Sequence, residues 1–316
     1  MNHILRIGTR DSQLAVWQAR LVQRLLQQQG LTSELVYIKS EGDIDLITPL
    51  YEIGVQGIFT KTLDTALLNN KIDIAVHSMK DVPTQLAKGI MQAAVLRRAS
   101  YKDLFIFKNK GIIDRWKLKE NTTGTLLENS GIIATSSTRR KAQWLNRYPD
   151  HQVKNLRGNI NTRLRKLHES NWDGAIFAAA GVERINLRPE NSIELEWMLP
   201  APAQGAIMIV CREEDTESAN SCGMLNDITT ALCTRMERDF LRTLSGGCST
   251  PISALAEMKN NKVSFRGNIF SLDGKEKVEV EMLVTTDAIN TGILAATELL
   301  NKGAKSIVET IRNASK

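Results

Sequence analysis

Apolar and polar positions along this chain switch repeatedly between two periods. Short apolar runs of strand type alternate with stretches in which apolar residues recur every three or four positions, as on a helix with one buried face. Leu5–Gly8 opens as a strand, and Leu14, Trp17, Leu21 and Leu25 then mark a helix that Gly30 stops. Leu35–Ile38 predicts the next strand, and Phe59, Leu63 and Leu67 a second helix. Buried strands follow at Ile72–His77 and Ile90–Leu96. A second set runs from a strand at Leu104–Phe107 through strand Ile132–Thr135, a helix from Arg139, and a strand near Val153–Leu156. Helix Thr162–Glu169 and strand Ala175–Ala179 complete it. Pro200-Ala201-Pro202 reads as a linker and Ala206–Cys211 as a further strand.

The texture changes from about Ile228. A helix carrying Leu232, Met236, Phe240 and Leu244 leads into Ser245-Gly246-Gly247-Cys248. Val263–Phe270 and Val278–Val284 then form a hairpin turned at Asp273-Gly274, and two helices with Gly303 between them close the chain. The pattern predicts an α/β protein: two similar α/β domains plus a smaller C-terminal α+β domain. With 316 residues there is room for that many cores without disulfide staples.

Composition narrows the class. Apolar residues are 42% and charged residues 24%, ordinary globular values that exclude a fibre or a disordered chain. No stretch approaches the ~20 apolar residues of a membrane span, and the first residues lack a signal peptide's apolar core. A cytoplasmic protein with no membrane partner is expected. Net charge is +6, which favours anionic ligands; aromatics at 5% leave little for stacking nucleic-acid bases.

Candidate chemistry gathers at strand ends. Gly8-Thr9-Arg10-Asp11-Ser12 and Ala134-Thr135-Ser136-Ser137-Thr138-Arg139-Arg140 share one grammar: each follows a strand and opens a helix. A helix N-terminus presents unpaired N–H groups and partial positive charge, and arginine adds a planar fork matched to carboxylates. One such loop is explained as well by a capping hydroxyl beside a solvated arginine. Two of them at strand C-terminal ends balance that reading against an anion site. Leu156-Arg157-Gly158-Asn159-Ile160-Asn161-Thr162-Arg163 is a third candidate, and Gly181-Val182-Glu183-Arg184 a fourth, after the apolar strand. A cleft fed by these ends gathers Arg10, Arg139, Arg140, Arg157, Arg163 and Arg184. So many cations together are costly unless a polyanion neutralises them, which suits a ligand with several carboxylates.

His77-Ser78-Met79-Lys80-Asp81-Val82-Pro83 places a carboxylate beside a lysine at a strand end, fit for acid–base work or for a plain turn pair. His77 reads as structural, His3, His151 and His168 share no metal spacing with it, and no metal is expected. Cys211 and Cys233 sit on apolar elements, and Cys222 is ambiguous. Cys248 lies in a glycine-rich loop, as a nucleophile, a covalent tether or a fortuitous loop thiol.

Taken together, Arg6-Ile7-Gly8-Thr9-Arg10-Asp11-Ser12, the run Asp73 to Pro83, Thr135 to Arg140, Leu156-Arg157-Gly158-Asn159, Pro202-Ala203-Gln204-Gly205-Ala206 and Gly246-Gly247-Cys248-Ser249-Thr250-Pro251 resemble the porphobilinogen deaminase (hydroxymethylbilane synthase) family nearly end to end. The resemblance implies an enzyme of tetrapyrrole (heme) biosynthesis. It joins four porphobilinogen units head to tail, releases four ammonia molecules and hydrolyses off hydroxymethylbilane. It implies a dipyrromethane cofactor held as a thioether on Cys248. Asp81 matches the carboxylate that handles pyrrole protonation and stabilises the cationic azafulvene. Ser78, Lys80, Thr135, Ser137, Arg139, Arg140, Asn159, Arg184 and Gln204 match cofactor contacts. Arg10, Ser12, Gln18, Phe59, Arg157, Gly158 and Arg163 match contacts to incoming pyrrole. The implied architecture is two periplasmic-binding-protein-like domains (1–98 plus 199–215, and 99–198) and a third at 226–316, in a monomer.

Some positions depart from the family pattern. Val55 and Gln56 stand where a second glycine and a lysine are usual, Glu52 where lysine is frequent, and Ala203 where glycine is common. Less positive charge on a loop over the site implies a slower, less tightly gated enzyme. Two other classes compete: a non-catalytic anion-binding protein, which leaves Cys248 and Asp81 without tasks, and a nucleic-acid binder, which the scattered arginines and few aromatics oppose.

Overall fold

The computed structural model describes residues 4–39, 60–116, 118, 130–247 and 250–314. Glu52, Val55, Gln56, Phe59 and Cys248 lie outside the described residues. The chain begins with β1 (Leu5–Thr9), α1 (Gln13–Gln28), β2 (Ser33–Tyr37), α2 (Lys61–Leu68), β3 (Ile74–Ser78) and β4 (Ile90–Val95). It continues through β5 (Asp103–Phe107), α3 (Ile112–Arg115), β6 (Ile132–Ala134), α4 (Thr138–Arg147) and β7 (Gln152–Lys154). Then come α5 (Ile160–Glu169), β8 (Gly174–Ala178), α6 (Ala179–Arg184) and β9 (Ser192–Glu194). The remainder holds β10 (Ile207–Arg212), α7 (Thr216–Gly223), α8 (Ile228–Thr243), β11 (Ile252–Lys259), β12 (Lys262–Phe270), β13 (Lys277–Thr285), α9 (Thr291–Leu299) and α10 (Lys305–Ala314).

The described residues thus form a mixed α/β protein with a smaller α+β part at the C-terminal end. Two five-stranded sheets share one topology, ordered β2-β1-β3-β10-β4 and β7-β6-β8-β5-β9. In each, three parallel strands are followed by one strand that runs antiparallel to both its neighbours. Those two strands, β10 and β5, are the ones the chain forms on arriving from the other sheet. Antiparallel insertion is therefore how each crossing is absorbed.

Both sheets are covered on two faces, which is why their strands read as continuous apolar runs. Ala19, Val22 and Leu26 of α1 pack with Ile7, Ile74 and Ile209; Leu63 and Leu67 of α2 pack with Ala75, Met79 and Val210 opposite. In the second sheet Phe105, Trp116, Trp144 and Tyr148 fill one side, while Leu104, Leu156, Leu167 and Val182 fill the other. The third sheet, β11-β12-β13, is antiparallel and buries Phe265 and Ile269 against Met236, Phe240 and Leu299. Gly267 lets the Phe240 ring lie on β12, since an added Cβ would stand 2.6 Å from it.

The elements differ from expectation in two instructive places. Gly181 to Arg184 belongs to α6, not to a loop, because Ala179, Ala180 and Gly181 are small enough for a helix to start at the strand's end and pack on Ile160. β11 received no expectation; its Ala-Leu-Ala-Glu-Met composition is helix-forming, and pairing with β12 along eight residues overrides that propensity.

The two crossings lie side by side. Leu96 N–H donates to Ile207 O at 3.0 Å and Ala99 N–H to Gly205 O at 3.2 Å. Gly205 has φ +88°, and a Cβ there would stand 2.7 Å from Ser100 O and 2.8 Å from Ala99 O. Ala203, where glycine is usual, adopts φ +61° and is fully buried. The pair is fastened by Glu237 of α8, which accepts from Arg98 at 2.6 and 3.1 Å, from Ala203 N–H at 2.6 Å and from Ala256 N–H at 2.8 Å. Gly205→Ala must therefore break backbone packing as well as force a left-handed alanine. We expect it to cost about 2 kcal/mol or more in denaturant unfolding; wild-type stability would show that the crossings are not in tight contact.

Candidate functional site

The first wall grows from β1 and β3. Ser12 caps α1, its Oγ accepting from Ala15 N–H at 3.4 Å, and Gln18 on the buried face of α1 donates to Ser78 Oγ at 2.8 Å. β3 ends at Ser78 and turns directly into a single 3-10 turn, Met79–Asp81, whose Met79 is buried in the core. That burial leaves Asp81 exposed, while Lys80 reaches Gln204. Arg10, Ser12, Gln18, His77, Ser78 and Asp81 line a cleft, and Asp81 is the one acid among its described lining residues. His77 is buried; burial and the charge of Arg10 lower its pKa to about 4, so it stands neutral, a structural histidine.

The second wall comes from β6, the loop after β7, and α6. Ser137 caps α4 by accepting from Arg140 N–H at 3.4 Å, and Asn159 caps α5 by accepting from Thr162 N–H at 3.0 Å. Thr135 is buried and accepts from Ser137 N–H at 3.2 Å. Gly158 takes φ +111°, where its carbonyl receives Arg163 Nε at 2.7 Å. Arg157 is buried beside it. Burial lowers Arg163 to about 10; the charges of Arg140 and Arg157 act the same way and Asp81 opposes them. The two sets of strand ends face one cleft. Asn161 donates to Gln13 across it at 2.9 Å, and the Arg184 guanidinium lies 5.7 Å from the Trp17 ring centre while donating to Gly205 O at 2.7 Å.

Between the walls stands a carboxylate that the sequence reading passed over. Asp103, at the start of β5, accepts from Arg139 Nη2 at 2.8 Å, Arg140 Nη2 at 2.7 Å and Gln204 Nε2 at 2.9 Å. Burial opposes its ionisation, but the two guanidiniums and the Gln204 bond outweigh that and hold it below the usual carboxylate range. Arg139 and Arg140 are thus partly neutralised from inside the protein, correcting the expectation that a ligand must neutralise the whole set. A signal was present: an aspartate opening the apolar run Leu104–Phe107 must find a cation once buried. Gln204 Oε1 accepts in turn from Lys80 Nζ at 3.3 Å. Burial lowers Lys80 to about 8, resisted by Asp81 and Asp103 and reinforced by Arg140 and Arg139.

These residues fit a group bearing several carboxylates. Two guanidiniums share one carboxylate at Asp103, leaving positive charge in excess, and Arg139 Nε is buried with no hydrogen-bond partner among the described residues. Lys80, Arg10 and Arg163 add cations nearer the cleft. Among the described residues no trio of His, Cys, Asp or Glu is placed to hold a metal ion, and no helix is long and apolar enough to cross a membrane. Cys211, Cys222 and Cys233 are buried, which raises their thiols to about 11, 12 and 11 and makes them poor nucleophiles.

Two family models match the chain: "Porphobilinogen deaminase, dipyromethane cofactor binding domain" over residues 5–220, and "Porphobilinogen deaminase, C-terminal domain" over 231–301. The chain belongs to the porphobilinogen deaminase family. A porphobilinogen deaminase of Desulforamulus reducens is 40% identical over 317 residues, and one of Chlorobium phaeobacteroides 39% over 321, with 99% of each chain covered in both cases. Among solved structures, the VFT2 domain of Bordetella pertussis BvgS aligns with 72% of this chain and 89% of its own at 12% identity and TM-score 0.42. The substrate-binding protein of an amino acid ABC transporter aligns with 71% and 91% at 9% identity and TM-score 0.34. These last two likenesses are remote, and nothing about the site is taken from them. The dipyrromethane-binding model of the family spans every strand end described above, so the walls belong to its cofactor-binding part.

The charge environment of Lys80 is open to direct measurement. In protein without bound cofactor, Lys80 should react with acetic anhydride at a rate that reaches half its plateau near pH 8, below the ordinary lysine value of 10.5. A Lys80 profile centred at 10.5 would mean that it is not enclosed by this cluster.

Proposed function

We propose that this chain is a hydroxymethylbilane synthase. It joins four porphobilinogen molecules head to tail on a dipyrromethane primer carried as a thioether by Cys248, and then releases hydroxymethylbilane by hydrolysis. At each step the aminomethyl C–N bond breaks, ammonia leaves, a C–C bond forms to the terminal pyrrole carbon, and that carbon loses its proton. When bound, the dipyrromethane supplies the nucleophilic pyrrole. The observation that carries the reading is Asp81, the one described acid lining a cleft whose other charged groups are cationic.

The roles follow from charge. Loss of ammonia leaves the substrate cationic, a species that a wall of arginines alone repels and a carboxylate at contact stabilises. Asp81 takes that task and moves the pyrrole proton. Arg10, Arg157 and Arg163, with Ser12, Gln18, Phe59 and Gly158, receive the acetate and propionate of incoming pyrrole. Lys80, Arg139, Arg140 and Arg184, with Ser78, Thr135, Ser137, Asn159 and Gln204, hold the primer. Several of these bonds are already made within the protein, so Asp103 and Gln204 keep the guanidiniums in place before ligand arrives. Residues 1–98 with 199–215, 99–198 and 226–316 are the three units between which the chain grows. The enzyme works as a cytoplasmic monomer without nucleic-acid or membrane partners; the arginines assigned here to substrate and primer stand at strand ends around one cleft.

Intact mass tests the primer. Purified wild-type protein should carry a covalent excess of two pyrrole units that Cys248→Ser lacks; no excess after incubation with porphobilinogen would leave an anion-binding relative without the chemistry. Asp81→Asn should keep that covalent excess while turnover falls by about 10²-fold or more. Undiminished turnover would remove Asp81 from the mechanism.

A further inference from the structure

Asp81 and Lys80 ride on one short turn, and a single 3-10 turn has too few internal bonds to hold itself still. Within it, Val82 N–H donates to Met79 O at 3.2 Å, and Met79 N–H donates to Ala206 O at 3.1 Å. The carbonyls of Met79, Val82 and Pro83 are satisfied from elsewhere. All three accept from one side chain, Arg238 of α8: Nη1 donates to Val82 O at 2.9 Å and Met79 O at 3.4 Å, and Nη2 to Pro83 O at 2.6 Å.

The geometry is a fork closed on the back of the turn. Guanidinium is planar and its donors have fixed directions, so three carbonyls bonded to it fix the turn in position and in orientation. Arg238 is itself held, because the residue before it is Glu237. That buried carboxylate ties α8 to Arg98, Ala203 and Ala256. α8 then leads, ten residues after Arg238, to Cys248. One helix thus grips both crossings with Glu237, the Lys80–Asp81 turn with Arg238, and continues into the segment that bears the tether.

We propose that Arg238 is a positioning residue of the reaction: it sets Asp81 and Lys80 at a fixed place relative to the part of the protein that carries the primer. Its guanidinium bonds the backbone carbonyls of the turn, so that it acts through Asp81 and Lys80. The inference rests on the function proposed above, for which Asp81 is the acid at work.

The test uses Arg238→Met, which keeps the aliphatic stem and removes the fork. Amide hydrogen exchange should speed up at least tenfold across Met79–Pro83 while β3 keeps its protection. Among molecules that mass shows to carry the pyrrole excess, kcat should fall about 10- to 100-fold with KM within about twofold, as for a catalytic group displaced by a fraction of an ångström to an ångström. Arg238→Lys, which can still reach one carbonyl, should recover part of the loss. Combined with Asp81→Asn, Arg238→Met should subtract nothing further, since both act through one group. A merely structural arginine would lower melting temperature and yield yet leave kcat of the loaded fraction intact; that result, or losses that multiply in the double variant, would overturn the proposal. Should Arg238→Met fail to fold, Arg238→Lys decides the matter by the same exchange and kcat comparison. Wild-type protein with neither turnover nor covalent pyrrole would sink the proposed function instead. The exchange measurement would still report whether the fork holds the turn.

Discussion

Two buried carboxylates, Asp103 and Glu237, hold the described parts of this protein in register. A carboxylate taken out of water has to be met by cations and N–H donors in good geometry, or its burial costs several kcal/mol. Each of these two draws its partners from segments far apart in the chain. Asp103 joins β5 to α4 and to the returning crossing through Gln204. Glu237 joins α8 to both crossings and to β11. Because the two crossings carry the chain between the five-stranded sheets, fixing them helps set how the strand ends confront each other.

The same arrangement sets the charge of the cleft. Lys80, Gln204, Asp103 and the Arg139–Arg140 pair form one hydrogen-bonded series from the first wall to the second. One buried acid cannot neutralise two guanidiniums and an ammonium, so the series keeps a positive surplus facing a site that must receive carboxylates. Burial works against Lys80, Arg139 and the neighbouring Arg163, lowering Lys80 to about 8 and Arg163 to about 10. A polycarboxylate ligand relieves that penalty, which converts the strain of like charges into affinity. Asp81 follows Lys80 on the same turn and lines the cleft, available to a cationic species.

The family's expected site residues were legible because they sit where local grammar speaks. Ser12 and Ser137 begin helices after strands, and their caps are made as the pattern implied. The hairpin turn at Gly274 was legible for the same local reason, with φ +79°. Asp103, Glu237 and Arg238 were not, although each is more committed than many residues that were noticed. Their partners lie from 19 to 159 positions away, and no short window contains both ends of such a bond. β11 escaped for a related reason: its strand character exists in its pairing with β12, and its composition favours a helix.

What the sequence by itself determined was the alternation of strands and helices, the anion-seeking loops at strand ends, the pairing of Lys80 with Asp81 on one turn, and the family. All are encoded within a few residues by periodicity, capping and motif. The tertiary structure alone decided that Arg139 and Arg140 share an internal carboxylate, that Asn161 of one wall meets Gln13 of the other, and that α8 braces the Lys80–Asp81 turn from behind. Those are outcomes of desolvation and long-range pairing. A charge has no fixed partner until folding removes water from it, and only then does the chain's path decide which distant group must come to meet it.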